Sequence, residues 1–350
     1  MRSLNKVISE DMDFIVGADL PWQRFAGKTV LITGANGFLP AYMVETLLHL
    51  NERQQLDIRV VGIVRNKEKA LARFGDNVET GRLHLIVQDV CEPLRALDSA
   101  EFIIHAASQA SPGYYGSDPV GTLKANVIGT YNLLELAREK STESLLFFSS
   151  GEVYGQLEPN KIPTGERDYG CVDSMDVRSC YAESKRMGET MCVSWHHQHG
   201  VPAKVVRPFH TYGPGMSLTD DRVFASFVAD VVARRDIVLK SSGTATRSFC
   251  YLAEATVAFF TVLLKGENAE AYNVGNDACE ISMKDLANTV AGLFPEFGLR
   301  VVQGSVKRPR GYIESKISRT RPDISKIASL GWKPSMSIEE GFKRTIESYL

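Results

Sequence analysis

The sequence lacks a strong net charge, a long apolar run and closely spaced cysteine pairs. Its 40 lysines and arginines nearly balance 42 aspartates and glutamates, so we expect no nucleic-acid partner. It has no run of about 18 uncharged apolar residues, and residues 1–13 lack the apolar core of a secretory signal, so we expect no membrane span. The six cysteines form no Cys-x-x-Cys pair, which favours a reduced cytoplasmic location and indicates no metal site.

What is present is typical of a globular α/β protein. The chain has 350 residues, of which 44% are hydrophobic and 23% charged, enough for one large domain or one domain with a smaller lobe. Short apolar runs alternate with helical stretches, which predicts a parallel sheet with helices on both faces. The predicted strands of the first half are residues 28–33, 58–64, 83–87, 102–105 and 145–149.

A glycine turn follows the first predicted strand. Gly34 and Gly37 allow a tight turn and a close approach of the backbone to phosphate, and the next helix begins there with free N–H groups. Pro40 stands where a small residue is usual, and proline is tolerated in a first helical turn. The sequence therefore predicts a dinucleotide site. Its expected contacts in this turn are Gly34, Asn36, Gly37, Phe38 and Leu39.

The second strand ends in a residue that bears on the choice of dinucleotide. NAD-specific sites carry a carboxylate there for the ribose 2′-OH, whereas this sequence has Arg65, whose guanidinium suits a 2′-phosphate. Further along, we expect Asp89 and Val90 to flank the adenine. Ala106, Ala107 and Ser108 are expected to line the dinucleotide.

A hydroxyl, a carboxylate, a phenol and an ammonium group come next along the chain. Ser150 and Glu152 precede Tyr181 by about thirty positions, and Lys185 lies one helical turn after Tyr181, on the same face. As a phenolate, Tyr181 would remove the proton of a sugar hydroxyl while the same carbon gives hydride to a nicotinamide. Lys185 would stabilise the phenolate, and Ser150 would hydrogen-bond the reacting oxygen. The set predicts oxidation and re-reduction of a sugar carbon.

Ordered motifs extend over residues 27–350. They are Thr33 to Phe38, His105-Ala-Ala, Asn126-Val-Ile-Gly-Thr130, Ser150, Tyr181-x-x-x-Lys185, Arg207 to Pro214, Arg247-Ser-Phe and Tyr272-Asn-Val-Gly275. On these motifs the chain resembles the extended short-chain dehydrogenase/reductases, which are nucleotide-sugar epimerases, dehydratases and decarboxylases. Its local likeness is to UDP-glucuronate decarboxylases, through Glu152-Val-Tyr-Gly155, Cys180-Tyr-x-x-x-Lys-Arg186 and Glu189-Thr-Met191.

The resemblance implies a Rossmann-type doubly wound parallel sheet with a smaller α/β C-terminal substrate lobe. It divides the chain into an N-terminal extension (1–26), a dinucleotide-binding domain (27–203) and a mainly substrate-binding lobe (204–350) with segments returning to the sheet. It implies a nucleotide-sugar substrate and further dinucleotide contacts from Asn126, Ser149, Tyr181, Lys185 and Pro208. The expected substrate contacts are Ser150, Gly151, Glu152, His210, Arg222, Arg247 and Arg310.

The resemblance leaves several points open. The cofactor is NAD(P)+, since the family favours NAD+ and Arg65 favours NADP+. The 4-keto intermediate of a uronic acid would decarboxylate, which is the preferred reaction. Gly151 stands where the resembling dehydratases place an acid, which counts against 4,6-dehydration, and 4-epimerases generally lack the glutamate found at position 152. Net NADPH-dependent reduction and a non-catalytic scaffold are further alternatives. A homodimer formed through helices 118–140 and 180–197 is the expected assembly.

Overall fold

The computed structural model describes residues 5–94, 97–304 and 317–350. Its strands form one large sheet and two small ones. In chain order the strands are β1 (Thr29–Thr33), β2 (Arg59–Val64), β3 (Leu83–Val87), β4 (Phe102–His105), β5 (Ser144–Phe148), β6 (Ala203–Pro208), β7 (His210–Tyr212), β8 (Ile237–Leu239), β9 (Thr246–Tyr251), β10 (Ala271–Val274), β11 (Glu280–Ser282), β12 (Val301–Gln303) and β13 (Arg319–Thr320).

The helices begin and end at local signals. Asn66 and Asp118 each accept a backbone N–H at a helix start, and Gly200 ends a helix with a left-handed φ of 72°. The helices are α1 (Lys6–Val16), α2 (Phe38–Gln54), α3 (Lys67–Glu79), α4 (Pro112–Ser117), α5 (Pro119–Glu139), α6 (Ser179–His199), α7 (Val223–Val232), α8 (Leu252–Lys265), α9 (Met283–Gly292), α10 (Ser325–Ala328) and α11 (Ile338–Glu347).

The large sheet has seven strands in the order β3-β2-β1-β4-β5-β6-β10, and all its neighbours run parallel. The interior strand β1 is buried along its whole length, as its apolar β-branched residues predict. This confirms the expected Rossmann-type α/β sheet. The chain passes from β3 at one edge back to β4 beside β1, so a crevice opens at the carboxyl ends of β1 and β4.

The second half of the chain is shared between the large sheet and a smaller lobe. The small sheet has β9 at its centre, flanked by β11, β13 and β7, while β8 pairs with β12. In contrast, β6 and β10 complete the large sheet and α8 lies against its face. The predicted boundary after residue 203 falls at the first residue of β6, and segments of residues 204–350 return to the large sheet.

Part of the N-terminal extension, residues 6–16, folds as helix α1, which the sequence did not predict. Helix α1 lies against α2 and α8. The buried carboxylate of Asp11 accepts hydrogen bonds from the hydroxyls of Tyr42 and Tyr251, at 3.0 and 2.8 Å, and from Arg344 Nη2 at 2.8 Å. These partners come from α2, β9 and α11, so α1 ties the large sheet to the smaller lobe.

Helix α8 is largely apolar, and it is buried almost throughout. It is covered by α1 and α2 on one side and by the sheet on the other. Within the three described segments, no helix is both long and apolar enough to traverse a bilayer.

Candidate active site

The predicted functional segments meet at the carboxyl edge of the large sheet. The glycine turn follows β1, residues 106–108 follow β4, and residues 149–152 follow β5. Residues 208–210 run from the last residue of β6 to the first residue of β7. Because parallel strands end at the same edge, residues far apart in sequence line one cleft.

The glycine turn leaves room for a ligand against bare backbone. Gly34 has a φ of +65°, and a Cβ there would lie 2.9 Å from Ala107 Cα, so a side chain is excluded by both strain and space. Gly37 is the N-cap of α2, and its own amide donates to Gly34 O at 2.7 Å. Pro40 is the third residue of α2, where the missing N–H has no intrahelical partner to lose.

A buried histidine fixes the floor of the cleft. The ring nitrogens of His105 lie 2.9 Å from Thr33 Oγ1 and 3.1 Å from Thr130 Oγ1. Burial, with the nearby charge of Lys185, lowers the pKa of His105 to about 3, so the ring is neutral. Thr33 Oγ1 also accepts from Ala107 N at 3.1 Å. This network joins β1, β4 and α5 and holds the turn against the segment after β4.

Two buried polar atoms, one after β4 and one on α5, have no hydrogen-bond partner. Ser108 Oγ and Asn126 Oδ1 are buried and make no hydrogen bond, although Asn126 Nδ2 donates to Ser184 Oγ at 2.9 Å. Buried polar groups normally have a partner. Together with the two glycines of the turn and the helix N-terminus, these atoms fit a ligand as polar as a dinucleotide.

At the outer end of the cleft, Arg65 and Asp89 form a loose pair. Their side chains are 62% and 42% exposed, and Arg65 Nη1 lies 4.0 Å from Asp89 Oδ2. The other carboxylate oxygen of Asp89 accepts from Cys91 N at 2.9 Å. The predicted adenine-flanking residues, Asp89 and Val90, thus lie beside the end of β2.

Tyr181 and Lys185 lie together on α6, as predicted. Tyr181 is 6% and Lys185 2% exposed. The Lys185 Nζ atom is 5.8 Å from the centre of the Tyr181 ring and donates to Phe148 O at 2.6 Å. Burial raises the pKa of Tyr181 to about 12 against the lowering effect of a hydrogen bond with Ser150. Burial lowers the pKa of Lys185 to about 7, and Glu189 opposes that shift.

Ser150, Gly151 and Glu152 form the turn that faces Tyr181. Ser150 Oγ accepts from Glu152 N at 3.1 Å and starts a short 3-10 turn, Gly151–Tyr154. A Cβ at Gly151 would meet the ring of Phe209 at 3.4 Å, which is an ordinary contact. The absence of a side chain at position 151 is therefore not forced by packing.

Ser150, Glu152 and Tyr181 form one wall of the cleft. Arg178 and Tyr115, which the sequence did not mark as candidates, complete this wall. Arg178, just before α6, places Nη1 3.3 Å from Glu152 Oε2 and its guanidinium 5.7 Å from the centre of the Tyr115 ring. Tyr115, on α4, stacks on Tyr181 with ring centres 4.9 Å apart. Arg178 Nε is buried without a partner. The signal that could have found Arg178 is its position three residues before Tyr181.

The smaller lobe supplies the predicted arginines. Arg222 forms two hydrogen bonds with Asp220, at 2.9 and 2.8 Å, and its charge is close enough to lower the pKa of Tyr181. Arg247 donates to the carbonyl oxygens of residues 246, 317 and 318. Arg310 lies outside the described residues. Arg222 is thus the predicted arginine that the structure brings towards Tyr181.

His210 lies in an aromatic enclosure. Its ring centre is 6.3 Å from that of Phe224 and 5.7 Å from that of Phe249. Burial, followed by the charges of Arg247 and Arg222, lowers the pKa of His210, and its Nδ1 atom has no hydrogen-bond partner. The ring is neutral and has one free polar atom.

A buried ion pair supports the cleft from below. Glu189 Oε1 and Oε2 accept from Arg207 Nε and Nη2 at 2.9 and 2.6 Å, and Glu189 Oε1 also accepts from Ser149 Oγ at 2.5 Å. Arg207 Nη1 donates to the hydroxyl of Tyr154 at 2.9 Å and to Glu166 O at 2.8 Å. Ser149 thus turns towards this layer, and Pro208 ends β6 directly after Arg207.

Comparison with known proteins identifies the family. Residues 30–275 match the model of the NAD dependent epimerase/dehydratase family. The chain belongs to this family. It is 36% identical to UDP-glucuronic acid decarboxylase 3 of Arabidopsis thaliana over 322 residues, which cover 91% of this chain and 88% of the relative. It is 34% identical to UDP-glucuronic acid decarboxylase 1 of Xenopus tropicalis, with 92% of this chain and 72% of the relative covered.

Solved structures of two epimerases share the fold. A UDP-glucose 4-epimerase from Thermotoga maritima superposes with a TM-score of 0.76 at 21% identity, covering 92% of this chain and 98% of that one. A UDP-glucuronic acid 4-epimerase from Bacillus cereus, in complex with UDP-glucuronic acid and NAD, gives a TM-score of 0.72 at 21% identity, with the same coverage. The fold and the enzyme family expected from the sequence are therefore confirmed.

Proposed function

We propose that this chain oxidises C4 of UDP-glucuronate and decarboxylates the 4-keto acid that results. The observation that carries the proposal is the single wall formed by Ser150, Glu152, Arg178 and Tyr181, with Lys185 behind it. Relatives that share about a third of its residues carry the name UDP-glucuronic acid decarboxylase.

The cleft along the sheet edge would hold the dinucleotide. The turn at Gly34 and Gly37 would receive the pyrophosphate at the start of α2, and Ser108 Oγ and Asn126 Oδ1 would gain the partners they lack. Lys185 would contact the nicotinamide end. When bound, the dinucleotide takes up the C4 hydride and later returns it.

Tyr181 would take the proton of the 4-hydroxyl. With its pKa raised to about 12 by burial, the phenol needs positive charge beside it to ionise near neutral pH. Lys185 and Arg222 would supply that charge. Ser150 would hydrogen-bond the C4 oxygen, so that the proton leaves from a fixed position.

The carboxylate on C5 would then leave as carbon dioxide. Oxidation at C4 makes the substrate a β-keto acid, in which the C5–C6 bond breaks and its electron pair moves to the C4 oxygen. Arg178 would orient the carboxylate, and Ser150 with Tyr181 would hold the enolate oxygen. Protonation at C5, return of hydride to C4 and return of the Tyr181 proton to the C4 oxygen complete the reaction. Glu152, which is partly exposed, would take up a proton from solvent and pass it to C5.

The test is mass spectrometry of the products from UDP-glucuronate, UDP-glucose and dTDP-glucose, each with NAD+ or NADP+. We expect loss of carbon dioxide from UDP-glucuronate alone. Tyr181→Phe should lower kcat about 1,000-fold, since it removes the base, while dinucleotide binding persists. Loss of water from a hexose would replace the proposal with dehydration, and an isomer of unchanged mass, identified by NMR, would replace it with epimerisation.

We also propose that the chain forms a homodimer through α5 and α6. These helices lie against each other and present large apolar side chains that are 39% to 59% exposed. A stripe of this kind is typical of an interface. Sedimentation equilibrium would test the proposed dimer by measuring the molecular mass in solution. The stripe consists of Val120, Leu123, Ile128, Tyr131, Met187 and Val193.

We further propose a cytoplasmic location. All six cysteines are free thiols, and three of them are buried. This agrees with folding in a reducing compartment.

A further inference from the structure

The end of β2 lies directly beside the glycine turn. Ile63 pairs in register with Thr33, the last residue of β1, and Ala35 N, within the turn, donates to Ile63 O at 3.2 Å. Arg65 follows two residues later. If the pyrophosphate lies at the turn, the adenosine ribose lies at the end of β2, next to Arg65.

The residues at the end of β2 include no carboxylate side chain. Residues 64–66 are Val, Arg and Asn, and Asn66 Oδ1 is occupied by its hydrogen bond from Lys69 N at 2.9 Å. Asp89 approaches from the neighbouring strand, and one of its oxygens is held by Cys91 N. The strand therefore lacks the acidic acceptor that NAD-specific sites use for the 2′-hydroxyl, which would also repel a 2′-phosphate.

Arg65 is available to a ligand. Among the described residues its one ion-pair partner is Asp89, at 4.0 Å, and its side chain is 62% exposed. A pair this long and this exposed holds the guanidinium weakly. A phosphate dianion offers two oxygens in the geometry that the planar guanidinium matches, which makes it the stronger partner.

We propose that Arg65 forms a 2′-phosphate subsite, so that the chain binds NADP+ in preference to NAD+. This rests on the proposed dinucleotide site and adds a selectivity that the family's description, NAD dependent, does not include. Adenosine 2′,5′-bisphosphate carries the same determinant as NADP+ without the nicotinamide half.

The test is isothermal titration of the protein, freed of bound nucleotide, with NADP+, NAD+, adenosine 2′,5′-bisphosphate and AMP. We expect NADP+ to bind about 10- to 100-fold more tightly than NAD+, and adenosine 2′,5′-bisphosphate to exceed AMP by the same factor. This is the gain in affinity that one charge-assisted bidentate contact provides. Arg65→Ser should abolish this ratio and leave NAD+ binding within about twofold, and Arg65→Asp should reverse it.

The matched control is Arg59→Ser, which removes the same charge from the exposed opposite end of β2, about 20 Å away. It should leave the ratio intact. Equal or tighter binding of NAD+ by the unmodified chain would overturn the inference and leave the proposed function standing. An equal loss of affinity for NADP+ and for NAD+ in Arg65→Ser would also overturn the inference. Binding of neither dinucleotide would overturn the proposed dinucleotide site itself.

Discussion

Two arginine–carboxylate pairs flank the cleft, one buried and one exposed. Arg207 and Glu189 are 4% and 15% exposed and meet through two hydrogen bonds, at 2.9 and 2.6 Å. Arg65 and Asp89 are 62% and 42% exposed and stand 4.0 Å apart. The same two functional groups are thus fixed beneath the catalytic end and loosely held at the adenosine end.

The difference shows how burial decides what a cation can do. Arg207 also donates to Tyr154 and to the carbonyl oxygen of Glu166, so its hydrogen-bonding capacity is used by the protein. Its partner Glu189 also accepts a hydrogen bond from Ser149 Oγ. A buried, satisfied pair fixes a framework, whereas an exposed and unsatisfied arginine can exchange its partner for a ligand.

Glu189→Gln should produce the largest effect. The amide keeps an oxygen for Arg207 and Ser149 but removes the charge, and this leaves a buried guanidinium without compensation. We expect the free energy of unfolding, measured in urea, to fall by about 3–5 kcal/mol.

Glu183→Gln is the matched control for this variant. Glu183 lies on the same helix and pairs with Arg186 at 3.5 Å, with the side chains 37% and 29% exposed. Its loss should cost less than about 1 kcal/mol. Equal losses from the two variants would show that burial does not separate these pairs.

Much of the catalytic end of the cleft could be predicted from the sequence. Tyr181 and Lys185 are one helical turn apart, and Ser150 follows an apolar strand, so both the chemistry and the meeting at one sheet edge could be inferred. The expected strands 83–87 and 102–105 agree with β3 and β4 residue for residue. Local periodicity was sufficient there because these strands are short apolar runs.

The remaining features depend on contacts between distant parts of the chain. Helix α1 is anchored where Asp11 meets Tyr251 and Arg344, which lie 240 and 333 residues further along. Tyr115 reaches the site only because α4 stacks it on Tyr181. No local pattern marks such residues, because their roles arise from tertiary packing.

A second test of burial uses the pH dependence of stability. The pKa of Lys185 is lowered by burial from 10.5 to about 7, so between these values the unfolded chain binds more protons than the folded one. Stability should therefore rise with pH from about 7 towards about 10, by up to about 1.4 kcal/mol per pH unit. Urea unfolding at several pH values, with Lys185→Met for comparison, measures this contribution.

In Lys185→Met the rise attributable to this residue should disappear. Lys343→Met, which removes a lysine 55% exposed on α11, serves as the control and should keep the pH dependence of the unmodified chain. A Lys185→Met curve parallel to that of the unmodified chain would show that the buried ammonium does not titrate in this range.

Asp89→Asn should have the smallest effect on stability. Asparagine keeps an oxygen for the hydrogen bond from Cys91 N, so the variant removes little besides the charge that faces Arg65. We expect the free energy of unfolding to change by less than about 1 kcal/mol. The matched control is Asp236→Asn, in the exposed pair with Arg300 that lies in the smaller lobe.

The two asparagine variants should differ in ligand binding despite their similar stability. Loss of the Asp89 charge releases Arg65 and removes a negative charge near the adenosine end, so the affinity for adenosine 2′,5′-bisphosphate should rise a few-fold relative to AMP. Asp236→Asn should not change that ratio. A loss of several kcal/mol in Asp89→Asn would mean that the exposed pair is as structural as the buried one, and the contrast between the two ends of the cleft would fail.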